Sequence, residues 1–391
     1  MNTLLPEQNP DDEAGYAVLP DTTAVEHKLG HIVVEDLAPE VETKEIPGMP
    51  RGFYNAAAWA NGAQTLLLGR HVNAPGAPGE GDPGPIILVV LENDKVVSNA
   101  DLWHPEQPDK YGDQLEDARV IVTAEGDVTV GCTRLTFNPI NHRYEPFPAI
   151  AYTSSEALLK GDFPDTFIIE GYGQADNTTP IDEAEPTLRL ISGKNATPLG
   201  QSPDHKKFMF RQEAHNHTLT VVSLDEKNKA VLLQNLDFPE YEIPWWGKDR
   251  MGTTMPPVWL DEKEALFLIH GFRLLEGKLQ YAIGSSRLFI GTDGKYHIDN
   301  ISTEPLLTPD GLAAELFPGQ QLQLHPEERS AIYMCGGVVV NDKFGKPKFV
   351  YGYPSIGDSQ TVESVFNVDA ITSLWVKNKS THESATLASV A

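Results

Sequence analysis

Apolar and β-branched residues along this chain gather in short runs separated by turn residues, and long amphipathic helical patterns are scarce. Five pairs of such runs predict strand-turn-strand units, over residues 56–70, 118–136, 207–234, 258–288 and 331–353. Only two short segments, 154–160 and 309–316, predict helices. The pattern therefore predicts an all-β protein.

The hairpins recur at intervals of roughly 50 to 90 residues, which suits four-stranded propeller blades with long loops. A large β-sandwich would account for the strands equally well, but it gives no reason for five similar hairpins. We therefore predict a five-bladed β-propeller over residues 46–375. Residues 1–45 are predicted to form a partly irregular N-terminal extension, and residues 376–391 a C-terminal tail.

Composition narrows the choice of partners. The 391 residues carry 56 acidic and 30 basic side chains, a formal charge of -26 that repels nucleic-acid phosphates and anionic membranes. No apolar run approaches the roughly 20 residues of a membrane span, and the first 18 residues lack a signal-peptide pattern. We expect a cytoplasmic protein without nucleic-acid or membrane partners. Cys132 and Cys335 each lie in or beside an apolar run, which predicts buried free thiols.

Chemistry is most concentrated in residues 115–120, where Glu116, Asp117 and Arg119 stand together at the start of a predicted strand. Charges placed where a loop enters a hairpin are held by a rigid scaffold and commonly face a cleft. Asp117 is therefore the first candidate for catalysis. The alternative is structural: Arg119 would simply neutralise its acidic neighbours, in an ion pair of small energetic consequence if exposed.

A succession of short motifs resembles a known family. Residues 115–120 are similar to its Glu-Asp-Pro-Arg signature, with Ala118 in the place of the proline. Further similar segments are 53–57, 66–70, 193–196, 208–211, 245–246, 251–257, 267–271, 281–288, 304–307 and 351–352 with Asp358. The family is glycoside hydrolase family 130, the β-mannoside phosphorylases and hydrolases, whose fold is a five-bladed propeller. The resemblance covers about residues 46 to 370.

The resemblance implies an enzyme that cleaves β-mannosides or related short oligosaccharides with inversion, with Asp117 as the proton donor. Hydrolysis then needs a carboxylate base for water, for which Glu213 is the candidate. Phosphorolysis instead needs cations that hold inorganic phosphate as co-substrate. The candidate substrate-binding residues are Asn55, Arg70, Glu116, Arg119, Lys194, Arg211, His270 and Asp358. Neither a metal nor an organic cofactor is expected, and a homo-oligomer is left open.

One departure from the family favours hydrolysis slightly. Pro148 stands where the phosphorylases carry a phosphate-binding arginine, and losing a fork-shaped donor weakens an anion site. A β-mannoside phosphorylase remains an alternative. A propeller that binds carbohydrate or protein without catalysis is another, because Ala118 and the irregular segment 212–217 also depart from the family.

Several aromatic residues have two interpretations. His270 is either a core histidine or a site residue, and Trp245 and Trp246 are either core or a platform on which a sugar stacks. His215 and His217 favour a solvated or sugar-facing pair over a metal site, because no third ligand lies nearby in the sequence.

Overall fold

The computed structural model describes residues 41–72, 84–104, 113–123, 125–138, 140, 143–172, 188–190, 193–200, 205–212, 215–226, 229–275, 277–316, 331–357 and 360–375. Within these ranges the chain is almost entirely β-structure, and nearly all strand pairs are antiparallel. The predicted all-β class is confirmed.

The described chain begins with strand β1 (Val41–Lys44). Sheet I contains β2 (Phe53–Asn61), β3 (Gln64–His71), β4 (Ile86–Glu92) and β5 (Lys95–Trp103) in spatial order. Sheet II contains β6 (Gln114–Val122), β7 (Asp127–Asn138), β8 (Arg143–Ser154) and β9 (Phe167–Ile168), also in order. Helix α1 (Ser155–Leu159) follows β8 in the chain.

Sheet III contains β10 (Glu170–Tyr172), β11 (Leu188–Leu190), β12 (Gly193–Pro198), β13 (Lys207–Gln212), β14 (Thr218–Leu224) and β15 (Lys229–Asp237). Their spatial order is β11-β10-β15-β14-β13-β12. Sheet IV contains β16 (Arg250–Thr253), β17 (Val258–Trp259), β18 (Glu264–Leu275), β19 (Lys278–Ile290) and β20 (Tyr296–Asp299). Helix α2 (Pro309–Leu316) comes next.

The remaining strands are β21 (Ile332–Tyr333), β22 (Gly337–Asn341), β23 (Pro347–Gly352), β24 (Ser355–Ile356), β25 (Gln360–Thr361) and β26 (Glu363–Asn367). Sheet V has the spatial order β1-β26-β23-β22, and a small sheet joins β21, β24 and β25. Residues 368–375 are helical.

All five predicted hairpins are confirmed, as β2–β3, β6–β7, β14–β15, β18–β19 and β22–β23. The two predicted helices are also present. Ser154 caps α1, with its hydroxyl accepting a hydrogen bond from the Ala157 N–H. Among the described residues, no helix has the length and apolar character needed to cross a membrane.

Apolar side chains fill the space between each sheet and the next. In β2 and β4 nearly every residue is buried, because each of these strands has a neighbouring sheet on both faces. This explains continuous apolar runs such as residues 86–91 in place of simple alternation. Five buried clusters join sheets I and II, II and III, III and IV, IV and V, and V and I. The sheets thus contact one another in a closed cycle, not as the two stacked sheets of the sandwich alternative.

Sheet V is closed by the first described strand. Strand β1 forms its edge and pairs antiparallel with β26, so the two ends of the described chain share one sheet. The Lys44 ammonium lies 2.9 Å from Glu363 Oε1 and 2.8 Å from Asp94 Oδ2. Glu363 is only 1% exposed, so Lys44 compensates a buried carboxylate at this closure.

Candidate functional site

Three β-bulges at matching places in sheets I, II and III build the candidate site. Between matched pairs, each edge strand (β2, β6 or β12) has two residues opposite one on its partner: Asn55-Ala56, Asp117-Ala118 and Asn195-Ala196. The first residue of each bulge is in the left-handed region, with φ of 54° at Asn55, 57° at Asp117 and 67° at Asn195. Asn and Asp tolerate this conformation better than most residues, which explains their place here. Asp117 therefore lies inside β6, not at its entrance as the sequence suggested.

Two of these bulge residues meet side chain to side chain. The Asn55 Nδ2 atom donates a hydrogen bond of 2.8 Å to Asp117 Oδ1. Both residues are buried, at 6% and 7% exposure, so the contact is shielded from bulk water. The carboxyl group of Asp117 is thus held in one orientation by a partner from the neighbouring sheet.

Hydroxyl groups near sheet V fix Asn55 in turn. The Asn55 backbone N–H donates to Ser355 Oγ at 2.8 Å, and this hydroxyl lies 3.3 Å from Thr361 Oγ1. The Thr361 hydroxyl donates to the Phe53 carbonyl at 2.6 Å. All of these groups are buried, so the position of Asn55 depends on residues about 300 positions further along the chain.

Arg119 is completely buried and joins three sheets. Its Nη1 donates to the Asp117 carbonyl at 2.6 Å, and its Nη2 donates to the Thr253 carbonyl at 3.0 Å and the Tyr333 hydroxyl at 2.9 Å. Burial disfavours its charge, but nearby Tyr333, Cys335 and Asp117 raise its pKa overall. This arrangement fits a residue that positions the Asp117 backbone better than one that touches substrate directly.

His270 lies beside this network. Its Nδ1 is 3.0 Å from the Thr253 carbonyl, and because a carbonyl only accepts, Nδ1 carries the proton and Nε2 keeps a lone pair. Burial and then the positive charges of Arg119 and Arg211 hold the pKa of His270 well below its usual range. The imidazole is therefore neutral at pH 7. Gly252 leaves room for it, since a Cβ there would lie 2.7 Å from the ring.

The second strand of each of four sheets carries a polar side chain opposite a residue of the edge strand. In the strand register Arg70 is opposite Tyr54, Thr133 opposite Glu116, Arg211 opposite Lys194 and His270 opposite Gly252. The guanidinium of Arg70 lies 4.7 Å from the Tyr54 ring centre. Arg70 and Arg211 are buried, whereas Glu116 and Lys194 are half-buried.

Electrostatic contacts connect most of the predicted site residues. The positive charges of Arg119 and Arg211 both lower the pKa of His270. Burial raises the pKa of the Cys335 thiol. The charges of Arg119, Asp117, Arg70 and Glu116 also influence this pKa. The predicted residues that the structure connects are Asn55, Arg70, Glu116, Asp117, Arg119, Lys194, Arg211 and His270. Lys194 joins through its strand pairing with Arg211.

Two predicted residues, Glu213 and Asp358, lie outside the described residues. Pro148 is buried in β8, opposite Thr133 and two strands from Glu116 at the same rung. It offers no cation there. Across the part of the chain that the structure describes, no group of three or more His, Cys, Asp or Glu side chains is arranged to hold a metal ion. Cys132 and Cys335 are buried and free, as predicted.

The remaining aromatic residues divide between core and surface. Trp246 is 1% exposed and belongs to the core between sheets III and IV. Trp245 is partly exposed and lines a groove with Arg273, whose guanidinium lies 4.5 Å from its ring centre. His217 Nε2 is 2.9 Å from the Gly247 carbonyl, so this ring is engaged with the backbone.

The candidate site residues predicted from the sequence do not include four members of the network: Tyr333, Thr253, Ser355 and Asn195. Two of them, Asn195 and Thr253, lie within the motif segments 193–196 and 251–257. For Asn195 the sequence does contain a pattern that marks it as a site residue. It stands before Ala196 near the start of its strand, as Asn55 stands before Ala56 and Asp117 before Ala118. For Tyr333 and Ser355 no local pattern distinguishes a site residue from a core residue.

The described molecule is therefore an all-β protein with a buried carboxyl group, an imidazole and several guanidinium groups gathered where its sheets meet. Neither the protein-family models nor the curated proteins contain a match to this chain. Solved structures do match its fold, and they include GH130 proteins, as the sequence motifs predicted.

One matching structure comes from work on the GH130 family of mannoside phosphorylases, which contains glycoside hydrolases that target beta-1,2 mannosidic linkages in Candida mannan. It has 13% identity and a TM-score of 0.55, over 81% of this chain and 84% of that one. A beta-1,2-mannobiose phosphorylase from Listeria innocua has 12% identity and a TM-score of 0.53, over 86% and 93%. A glycosyl hydrolase from Bacteroides ovatus has 12% identity and a TM-score of 0.52, over 81% and 84%. At this identity the likeness concerns the fold.

Proposed function

We propose that this protein is a carbohydrate-active enzyme that cleaves β-mannosides or related short oligosaccharides with inversion. The five larger sheets are then the blades of a propeller, and the site lies where their inner strands meet. The observation that carries the proposal is the buried Asp117 carboxyl, held by the Asn55 amide at 2.8 Å beside His270 and the arginines. The fold shared with GH130 structures supports it.

In this reaction Asp117 gives its proton to the leaving glycosidic oxygen while a nucleophile attacks the anomeric carbon from the opposite face. The Asn55 amide fixes the carboxyl so that its other oxygen is directed at the substrate. Neutral His270 accepts a hydrogen bond through Nε2, which suits a sugar hydroxyl. Asn55, Arg70, Glu116, Lys194, Arg211 and Asp358 complete the proposed substrate-binding set, together with Arg119 in a positioning role.

Water is the favoured nucleophile because Pro148 gives no phosphate-binding group at its rung. Glu213 is the proposed base that activates it. A phosphorylase is the second candidate. Arg119, Arg211 and Arg250 all act electrostatically on His270, so the site carries positive charge in a chain of net charge -26. Such a concentration of guanidinium groups suits an incoming phosphate.

The deciding experiment incubates the protein with β-1,2-mannobiose and other β-linked manno-oligosaccharides, with and without inorganic phosphate. Release of free mannose without phosphate supports the hydrolase. Phosphate-dependent formation of mannose 1-phosphate, followed by ³¹P NMR, supports the phosphorylase and refutes the hydrolase. Proton NMR of the first-formed anomer tests inversion, and Asp117→Asn serves as the inactive control. Absence of any reaction or binding moves the weight to a non-catalytic protein.

A further inference from the structure

The side chain of Asn195 has a buried oxygen atom for which the described part of the fold supplies no hydrogen-bond donor. The residue is 3% exposed, and its Oδ1 has no hydrogen-bond partner among the described residues. Its backbone, in contrast, is fully engaged. The Asn195 N–H donates to Thr133 Oγ1 at 2.9 Å, and its carbonyl accepts from the hydroxyls of Thr197 at 2.8 Å and Thr253 at 3.4 Å.

The location of this carboxamide follows from the repeated bulges. Asn195 occupies in sheet III the position that Asn55 and Asp117 occupy in sheets I and II, with the same left-handed backbone. Side chains at the first two positions meet each other across neighbouring sheets. Sheet III follows sheet II in the cycle of sheets. The Thr253 carbonyl accepts a hydrogen bond from Arg119, and the Thr253 hydroxyl donates one to the Asn195 carbonyl. The third bulge therefore lies beside a residue that holds Arg119, and its backbone conformation matches that of the two bulges whose side chains meet.

The absence of a donor for Asn195 Oδ1 within the described chain has an energetic cost. A buried carbonyl oxygen without a donor destabilises a folded chain, and buried polar groups are satisfied in nearly all native structures. Glycine accepts the left-handed backbone at least as well as asparagine and would bring no such oxygen. Asparagine at this position thus serves something other than the fold.

We propose that Asn195 is a specificity residue whose side-chain carboxamide hydrogen-bonds a hydroxyl group of the sugar bound beside Asp117. This inference rests on the proposed function. Chemistry selects the partner: a hydroxyl both donates and accepts, so it satisfies the carboxamide in either orientation. A phosphate or carboxylate oxygen of an ionised ligand only accepts and cannot satisfy Oδ1. A sugar hydroxyl is therefore the partner that can donate to the oxygen that the described residues leave without a donor.

The test compares Asn195→Gly, which removes the carboxamide and keeps the backbone, with Asn195→Asp, which keeps an acceptor oxygen. Asn300→Gly is the matched control, because Asn300 is also buried and left-handed, with φ of 52°, but bonds Asp299. With β-1,2-mannobiose as probe, we expect Asn195→Gly to raise KM about tenfold, since one hydrogen bond to substrate is lost. Its melting temperature should fall no further than that of Asn300→Gly.

Monodeoxy analogues of the probe identify the hydroxyl. Removing the partner hydroxyl should weaken the wild type about tenfold and leave Asn195→Gly unaffected, because the interaction is already absent. Equal sensitivity of both proteins to every deoxy position overturns the inference alone. So does a much lower melting temperature of Asn195→Gly, which would assign the carboxamide a structural bond. A folded wild type that neither cleaves nor binds any oligosaccharide tested overturns the proposed function as well.

Discussion

The side-chain amide of Asn55 donates a hydrogen bond of 2.8 Å to the carboxyl group of Asp117, 62 residues further along the chain. The two residues begin equivalent bulges in neighbouring sheets, so the same backbone irregularity places both partners. A regular β2 or β6 would remove the extra residue and turn the following side chains to the opposite face. The candidate site thus depends on departures from ideal strand geometry.

Asp117→Asn should lower kcat on natural oligosaccharides by about 10²- to 10⁴-fold, because an amide cannot supply the proton of general-acid catalysis. The fold should survive, since asparagine tolerates φ of 57° and still offers an oxygen to Asn55. Steady-state kinetics on mannobiose and on a 2,4-dinitrophenyl β-mannoside provide the measurement. The activated substrate should lose much less, because its leaving group needs little protonation.

Asp127→Asn is the control for that experiment, since Asp127 begins β7 in an exposed position. Its kinetics should match those of the wild type. An equal loss for natural and activated substrates in Asp117→Asn would show that Asp117 positions the sugar without protonating the leaving group.

Tyr333→Phe should destabilise the protein by about 1 to 3 kcal/mol, the usual contribution of a hydrogen bond to a charged donor. The change removes the hydroxyl that accepts from Arg119 at 2.9 Å and leaves the ring beside His270. Urea unfolding measures the effect. Tyr241→Phe is the control, because Tyr241 is 82% exposed. Identical midpoints for the two variants would mean that the Tyr333 hydroxyl contributes nothing to the buried network.

The sequence predicted the parts of this molecule that depend on local pattern. Hairpins are readable because strand runs and turn residues lie within about 30 residues of each other, and the motif around Asp117 is contiguous. The Tyr333 contact is not readable, because 214 residues separate it from Arg119 and only closure of the sheets brings them together. The bulges escaped prediction because a bulge is defined by the partner strand's register as well as by its own sequence.

The neutral state of His270 predicts a specific loss of stability in acid. Its pKa is lowered by burial, so as the pH falls below about 6.5 the unfolded chain takes up a proton that the folded chain does not. The contribution is therefore constant above that pH, and each unit below it costs up to about 1.4 kcal/mol until the folded pKa is reached.

His270→Gln removes this titration, so the free-energy difference between wild type and variant should shrink between pH 7 and pH 5. Urea unfolding at several pH values checks it. His104→Gln is the control because the His104 side chain is 63% exposed, and its curve should run parallel to that of the wild type. Parallel curves for His270→Gln as well would contradict a neutral buried imidazole.

Lys44→Met should destabilise the protein by about 1 to 3 kcal/mol, because it leaves the buried carboxylate of Glu363 without its cation at the closure of sheet V. We expect this loss of stability to be smaller than for a fully buried pair, because the Lys44 side chain is 47% exposed and solvent screens its charge. Although burial opposes the charged form, hydrogen bonds to Asp94 and Glu363 raise the pKa of Lys44. Its stabilising effect is therefore present below about pH 10.4 and is lost as the pH rises through the folded pKa.

The matched control is Lys160→Met, which breaks an ion pair of 2.6 Å with Glu156 on the exposed face of α1. Solvent screens an exposed pair of this kind, so the control should unfold almost as the wild type does. The variant Lys44→Met, Glu363→Gln should recover part of the loss, because it no longer buries an unpaired charge. Equal stability of Lys44→Met and Lys160→Met would show that strand pairing between β1 and β26 closes the sheet without help from the ion pair.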